Sequence, residues 1–116
     1  MLAVGGHLFE DLDARCIRMT TPFGGGIGGS REELCGAFSA GVMVIGGQHG
    51  RVSPEVDDAL AYELAKAFRV RFMERWGTLI CGPIREAVTK PDGSSGCDEV
   101  VFEAAHLLLD LLEGAG

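Results

Sequence analysis

Between residues 56 and 76 the sequence repeats apolar side chains at a spacing close to one turn of an α-helix. An apolar residue occupies every fourth position: Val56, Leu60, Leu64, Phe68, Phe72 and Trp76. A period near 3.6 residues is typical of an amphipathic α-helix, whereas a half-buried strand alternates with a period of two. We therefore predict a long helix that begins at Ser53-Pro54-Glu55, a strong start signal, and ends at Gly77.

The rest of the sequence also reads as helix, and no convincing strand is found. Ser30, followed by Glu32 and Glu33, fits a capping box for a helix over about 31–45. Shorter or later helices are expected over Leu2 to Phe9, from Asp11 or Asp13 to about Met19, over about 79–88 and over about 98–113. We predict one all-α domain spanning 1–116, a small bundle of about four to five helices with a glycine-rich loop.

Composition agrees with a folded domain and argues against several partners. The 116 residues are 47% hydrophobic and carry a net charge of −7, so a basic nucleic-acid footprint is not expected. The longest uncharged run, residues 34–49, is too short and polar for a membrane span, and no secretory signal is visible at the start. We expect a cytoplasmic protein without membrane insertion.

Glycine is concentrated in one part of the chain. Ten of the 18 glycines lie between Gly24 and Gly50, and they begin with a dense run. A glycine loop before a helix can hold an anion or cofactor on free N–H groups, or it can let two helices pack closely. No strand precedes the run and no acidic partner fits a dinucleotide fingerprint. The candidate cofactor contacts are Gly24, Gly25, Gly26, Gly28 and Gly29.

The four cysteines are the main candidates for chemistry. Their spacing contains no CxxC unit and fits no zinc finger, and the three histidines show no ligand spacing. Thiols can act as nucleophiles, form a reversible disulfide or bind soft metals. Cys81 and Cys97 lie near expected helix starts, where thiol pKa values fall. Burial as inert structure is the alternative for each cysteine.

Two stretches carry a resemblance to a known family. Residues 21–29 (TPFGGGIGG) are followed by CGAFSAG at residues 35–41, then by Trp76-Gly77, Cys81-Gly82, a variable loop and Cys97. In this order they resemble the C_GCAxxG_C_C family, whose members are inferred to be redox-active proteins. The likeness covers nearly the whole chain. It implies a small helical domain.

The resemblance also implies roles for individual cysteines. Cys35, Cys81 and Cys97 match family positions that are inferred to be redox-active or to hold an iron–sulfur or other metal centre. The family's first cysteine precedes a segment like Leu2-Ala3-Val4-Gly5, and no cysteine stands there in this sequence. Either that position lies upstream, or this member lacks it, or Cys16 substitutes for it in space.

Two functions of different classes follow. The first is a cysteine-based redox protein that works by disulfide exchange, with Cys35 and either Cys81 or Cys97, or by electron transfer through a thiolate-ligated centre. Its partner would be an unidentified redox protein. The second is a helical binding or assembly module in which the cysteines are structural and the small residues of helix 31–45 serve contact, for example in a homodimer.

Overall fold

The chain forms helices connected by loops, as the apolar spacing predicts. The structure is a computed structural model and describes residues 2–114. It contains α1 (Leu2–Leu8), α2 (Ala14–Thr20), a 3-10 turn (Thr21–Phe23), α3 (Gly36–His49), α4 (Ala59–Trp76), α5 (Cys81–Val88) and α6 (Cys97–Gly114). The all-α class is confirmed. Residues 2–114 contain six α-helices, of which α1 and α2 are the two short N-terminal helices expected from the sequence.

The core lies between α3, α4 and α6, with three phenylalanine rings at its centre. Phe38 stacks on Phe68 at 5.4 Å between centroids, and Phe72 meets these two rings edge-on at 5.3 and 6.0 Å. Such pairs add about 0.5–1.5 kcal/mol each beyond the burial of their area. From α6, buried side chains arrive at every fourth position: Val100, Ala104, Leu108 and Leu112.

Small residues of α3 are used within this chain. A Cβ at Gly41 would lie 2.5 Å from Cε2 of Phe68, and one at Gly47 would lie 2.8 Å from Cζ of Phe9. Glycine at these positions therefore lets aromatic rings approach the α3 backbone. Of the small residues in helix 31–45, Gly41 is thus used for packing within this chain, and contact of this face with a second copy stays a prediction.

The predicted start of α3 at residue 31 is wrong, since the helix begins at Gly36. The Ser30 hydroxyl donates to the Gly26 carbonyl oxygen at 2.6 Å and accepts from the Glu32 N–H at 3.2 Å, so it closes a turn instead of capping a helix. Leu34 lies in an isolated antiparallel bridge with Ile80. Pairing of this extended segment therefore delays the helix.

The predicted start of α4 is also wrong, because the helix begins at Ala59. The Arg51 guanidinium donates to the carbonyl oxygens of Pro54 and Val56 at 2.9 and 3.1 Å, and it pairs with Asp58 at 3.0 Å. These bonds hold the start signal in a loop. Of the described helices, none has the length and apolar character needed to cross a bilayer.

We predict opposite effects for alanine at two glycines of α3. Gly41→Ala forces a methyl group against the buried Phe68 ring and should lower the free energy of unfolding by about 1–3 kcal/mol. Gly46 is the matched control: a Cβ there meets nothing within 4 Å, and Gly46→Ala should stabilise the helix by about 0.5–1 kcal/mol. Urea unfolding of the reduced protein measures both. Equal effects would contradict the packing described here.

Candidate functional site

Two short extended segments join the beginnings of α3 and α5. Leu34 and Ile80 form the antiparallel bridge, flanked by a hydrogen bond from Cys35 N–H to the Leu79 carbonyl oxygen at 2.7 Å. On the other side, the Cys81 N–H donates to the carbonyl oxygen of Glu33 at 2.9 Å. Both cysteines are therefore fixed through their own main-chain N–H groups.

The bridge also determines which way the two side chains lie. Residues next to a bridged pair project to the face opposite that pair, so Cys35 and Cys81 share a face. Relative to the bridge they are diagonal neighbours, whose Cα atoms in a regular sheet are roughly 7–8 Å apart with closer Cβ atoms. Disulfides typically span Cα separations of up to about 7 Å. The pairing therefore predicts a separation close to the upper limit for a direct disulfide.

All three cysteines of the family pattern occur where a helix begins. Cys35 is the N-cap residue of α3, and Cys81 and Cys97 are the first residues of α5 and α6. Exposure differs among them: Cys81 is buried at 7% exposure, whereas Cys35 and Cys97 are half-buried. The sequence predicted helix starts near Cys81 and Cys97, but it placed Cys35 inside a helix.

Each of these cysteines has a glycine neighbour that packs against a main-chain carbonyl group. A Cβ at Gly36 would lie 3.3 Å from the Phe23 oxygen, and one at Gly82 would lie 2.9 Å from the Arg31 oxygen. Gly96 is held in the same way against the carbonyl oxygen of Val88. The absence of a side chain beside each cysteine therefore lets a separate segment close over the helix start.

The glycine run forms a left-handed turn. Residues 25–29 all have positive φ angles, between 61° and 72°, and this includes Ile27. Within the turn only Gly26 is buried. Because α3 begins at Gly36, the run does not lie at the N-terminus of that helix. The cofactor role of Gly24, Gly25, Gly26, Gly28 and Gly29 stays a prediction without its original helix-dipole argument.

Burial raises the pKa of the Cys35 thiol. The N–H groups of Ala37 and Phe38 oppose this shift, while negative charge on Cys81 or Cys97 adds to it. The main-chain pairing places Cys35 near Cys81, and the electrostatic effect favours a position for Cys97 in the same region. The uncharged form of the Cys35 thiol is therefore favoured at neutral pH.

Cys16 is separate from this neighbourhood. It is exposed on α2, and its N–H donates to the Asp13 carboxylate at 2.9 Å. Asp13 and Asp11 of its own segment raise the pKa of its thiol, with the Asp13 hydrogen bond as the largest cause. The structure gives no support to Cys16 as a spatial substitute for a family cysteine.

The four cysteines are free thiols in the structure. Within residues 2–114, no three His, Cys, Asp or Glu side chains are grouped closely enough to hold a metal ion. Cys35, Cys81 and Cys97 therefore do not fit an assembled ligand set, although they lie near one another. An iron–sulfur or other metal role for them stays a prediction that this arrangement does not favour.

Sequence reasoning missed the pairing of residues 33–35 with residues 79–82 and the burial of Gly26 against Cys81. The extended pieces are too short to show an alternating pattern. One signal was present: each family cysteine has glycine as a direct neighbour, which indicates a close main-chain approach.

Comparison with known proteins gives one match. The sequence model of a family described as "Putative redox-active protein (C_GCAxxG_C_C)" matches residues 1–111, nearly the whole chain. No curated protein and no solved structure matches. The match agrees with the resemblance seen in the glycine run and the CGAFSAG motif.

We predict that Cys35 makes the folded protein less stable at alkaline pH. Its folded pKa lies above the ordinary value of 9.0, so the unfolded chain loses this proton first. The contribution of the protonated thiol is complete below about pH 9 and is lost as the pH rises through the folded pKa. Urea unfolding between pH 7 and pH 10.5 should show a steeper loss in wild type than in Cys35→Ala. Equal slopes would contradict the assignment.

Proposed function

Because the chain belongs to the C_GCAxxG_C_C family, we propose that it is a dithiol–disulfide redox protein whose working pair is Cys35 and Cys81. One observation carries the proposal. The bridge between Leu34 and Ile80 fixes both cysteines through main-chain hydrogen bonds and turns them to one face. Two thiols held at this separation need little further ordering to form a bond, which favours a reversible intramolecular disulfide.

Exposure suggests an order of attack. The half-buried Cys35 is the thiol that a partner disulfide can reach, and the buried Cys81 is the resolving thiol. The Cys35 thiolate attacks one sulfur of the partner, which breaks the partner's S–S bond and forms a mixed disulfide. Cys81 then attacks Cys35 and releases the partner as a dithiol. The two thiols give up two electrons and two protons, and the partner disulfide takes up both.

The partner is a protein with an exposed disulfide, and a reducing compartment such as the cytosol would return the pair to its dithiol form. Burial of Cys35 raises the pKa of its thiol, so the thiolate form of the reduced protein is not stabilised. Disulfides become strong oxidants when the reduced form is stabilised. We therefore expect the opposite tendency here, a dithiol that acts as a reductant.

Cys97 is the third thiol of the site. Its effect on the pKa of Cys35 supports a position close to that sulfur, but no main-chain pairing ties it to Cys35 in the way that Cys81 is tied. Its N–H instead donates a hydrogen bond to the Ser95 hydroxyl oxygen at 3.1 Å, within its own loop. We propose Cys97 as a secondary partner for Cys35.

A second candidate function is that of an assembly module, and one surface favours it. Tyr62 is exposed and borders an apolar groove of about 150 Å³ between α3 and α4, which is lined by Val42, Ile45, Gly46, Ala61 and Ala65. Apolar side chains gathered at one place are typical of an interaction site. Sedimentation velocity of the reduced protein distinguishes a homodimer from a monomer, and a monomer at all concentrations would contradict this candidate.

We predict that oxidation removes two thiols. Titration of denatured protein should give four thiols after reduction and two after equilibration with glutathione disulfide and removal of the buffer. Cys35→Ser should abolish this loss of thiols. Cys81→Ser should strongly reduce it, because only the secondary partner Cys97 is then left for Cys35.

Cys16→Ser is the matched control, since Cys16 is exposed and lies outside the site. It should retain the loss of two thiols, from three to one. An unchanged thiol count in oxidised wild type, or a stoichiometric amount of iron or zinc in protein purified without air, would contradict the dithiol mechanism. Loss of the change in Cys97→Ser with its retention in Cys81→Ser would contradict Cys81 as the partner.

A further inference from the structure

The left-handed turn of residues 25–29 is directed at one of the two cysteines. An added Cβ at Gly26 would lie 2.6 Å from the Cβ of Cys81, closer than nonbonded carbon atoms approach. It would also lie 2.9 Å from the Cα of Arg31 and 3.1 Å from the Glu33 oxygen. The bare Cα of Gly26 therefore packs directly on the base of the Cys81 side chain.

The same turn is tied to the start of α5 by main-chain hydrogen bonds. Arg31 donates its N–H to the Gly25 oxygen at 2.8 Å and accepts at its own oxygen from the Gly82 N–H, also at 2.8 Å. Arg31 itself has a positive φ of 64°. Arg31 thus connects the turn with Gly82, so a displacement of the turn would also displace the start of α5.

The turn stores backbone strain at Ile27. A β-branched residue rarely adopts the left-handed region because its Cβ crowds the backbone there, and the φ of Ile27 is 66°. Its side chain is 44% exposed, so burial does not offset this strain. Strained backbone is common near functional sites, where surrounding bonds over-determine the backbone.

We propose that the turn is a positioning element for the disulfide pair, with Gly26 as the residue that sets where the Cys81 sulfur can lie. Contact with Gly26 blocks one side of the Cys81 Cβ. The sulfur is left with the remaining rotamers, and the bridge keeps its backbone beside Cys35. The inference rests on the proposed Cys35–Cys81 disulfide and gives the glycine run a role in it.

The test compares the dithiol–disulfide equilibrium of two alanine variants in glutathione buffers. Gly26→Ala should lower the equilibrium constant for disulfide formation at least tenfold, which is equivalent to about 30 mV for a two-electron couple. Gly93→Ala is the matched control, because Gly93 has a φ of 85° and open space around an added Cβ. This variant also places alanine at a left-handed position, but the added methyl group touches no cysteine. Its equilibrium constant for disulfide formation should equal that of wild type.

A purely structural role would give a different result. Urea unfolding of the oxidised and the reduced forms would then show equal destabilisation by Gly26→Ala, with no shift of the redox equilibrium, and this outcome would overturn the proposal. If Gly26→Ala does not fold, Gly82→Ala serves instead. A Cβ there would lie 2.9 Å from the Arg31 oxygen and disturb the same junction, so the same shift is expected.

The result also separates this inference from the proposed function. A wild-type disulfide whose equilibrium is unaltered by Gly26→Ala and Gly82→Ala removes the positioning role and leaves the redox function standing. A wild-type protein that forms no Cys35–Cys81 disulfide removes both.

Discussion

Three main-chain hydrogen bonds between residues 31–35 and residues 79–82 hold the segment before α3 against the start of α5. They join segments more than 40 positions apart in sequence. Closing such a loop costs conformational entropy, which the contacts between the joined segments must offset. What it brings together is the start of α3 and the start of α5, each with a cysteine and a glycine. The delayed beginning of α3, the shared face of Cys35 and Cys81 and the close approach of Gly26 all depend on this pairing.

The hydrophobic core anchors the start of α3. Phe38 lies one turn after Cys35 and stacks on Phe68, so the helix that carries the cysteine is anchored in the aromatic cluster. Glycines complete the arrangement by removing side chains where main chains meet. At Gly36 and Gly82 the missing Cβ admits a carbonyl group, and at Gly26 it admits a cysteine. These glycines therefore allow the close main-chain packing that determines where Cys35 and Cys81 lie.

Much of the fold could be predicted because apolar residues recur at helical spacing along the sequence. The spacing of Leu64, Phe68 and Phe72 indicated a helix, and Gly77 ended it with a positive φ of 75°, as expected. The starts of α3 and α4 could not be predicted in the same way. Ser30 and Ser53 both fit helix caps, but hydrogen bonds to Gly26 and from Arg51 to the following loop favour turns there. Local preference was overridden by contacts that only the folded chain contains.

The site was predictable in its residue types and not in its geometry. The family pattern selected Cys35, Cys81 and Cys97, yet no spacing in the sequence indicated that Cys35 and Cys81 flank one bridge. The central claim is that these two form the reversible bond. Peptide mapping by mass spectrometry, after equilibration in glutathione buffer and acid trapping, tests it directly. The account predicts one dominant disulfide that links the Cys35 peptide to the Cys81 peptide, and a dominant Cys35–Cys97 link or four unlinked cysteines would contradict it.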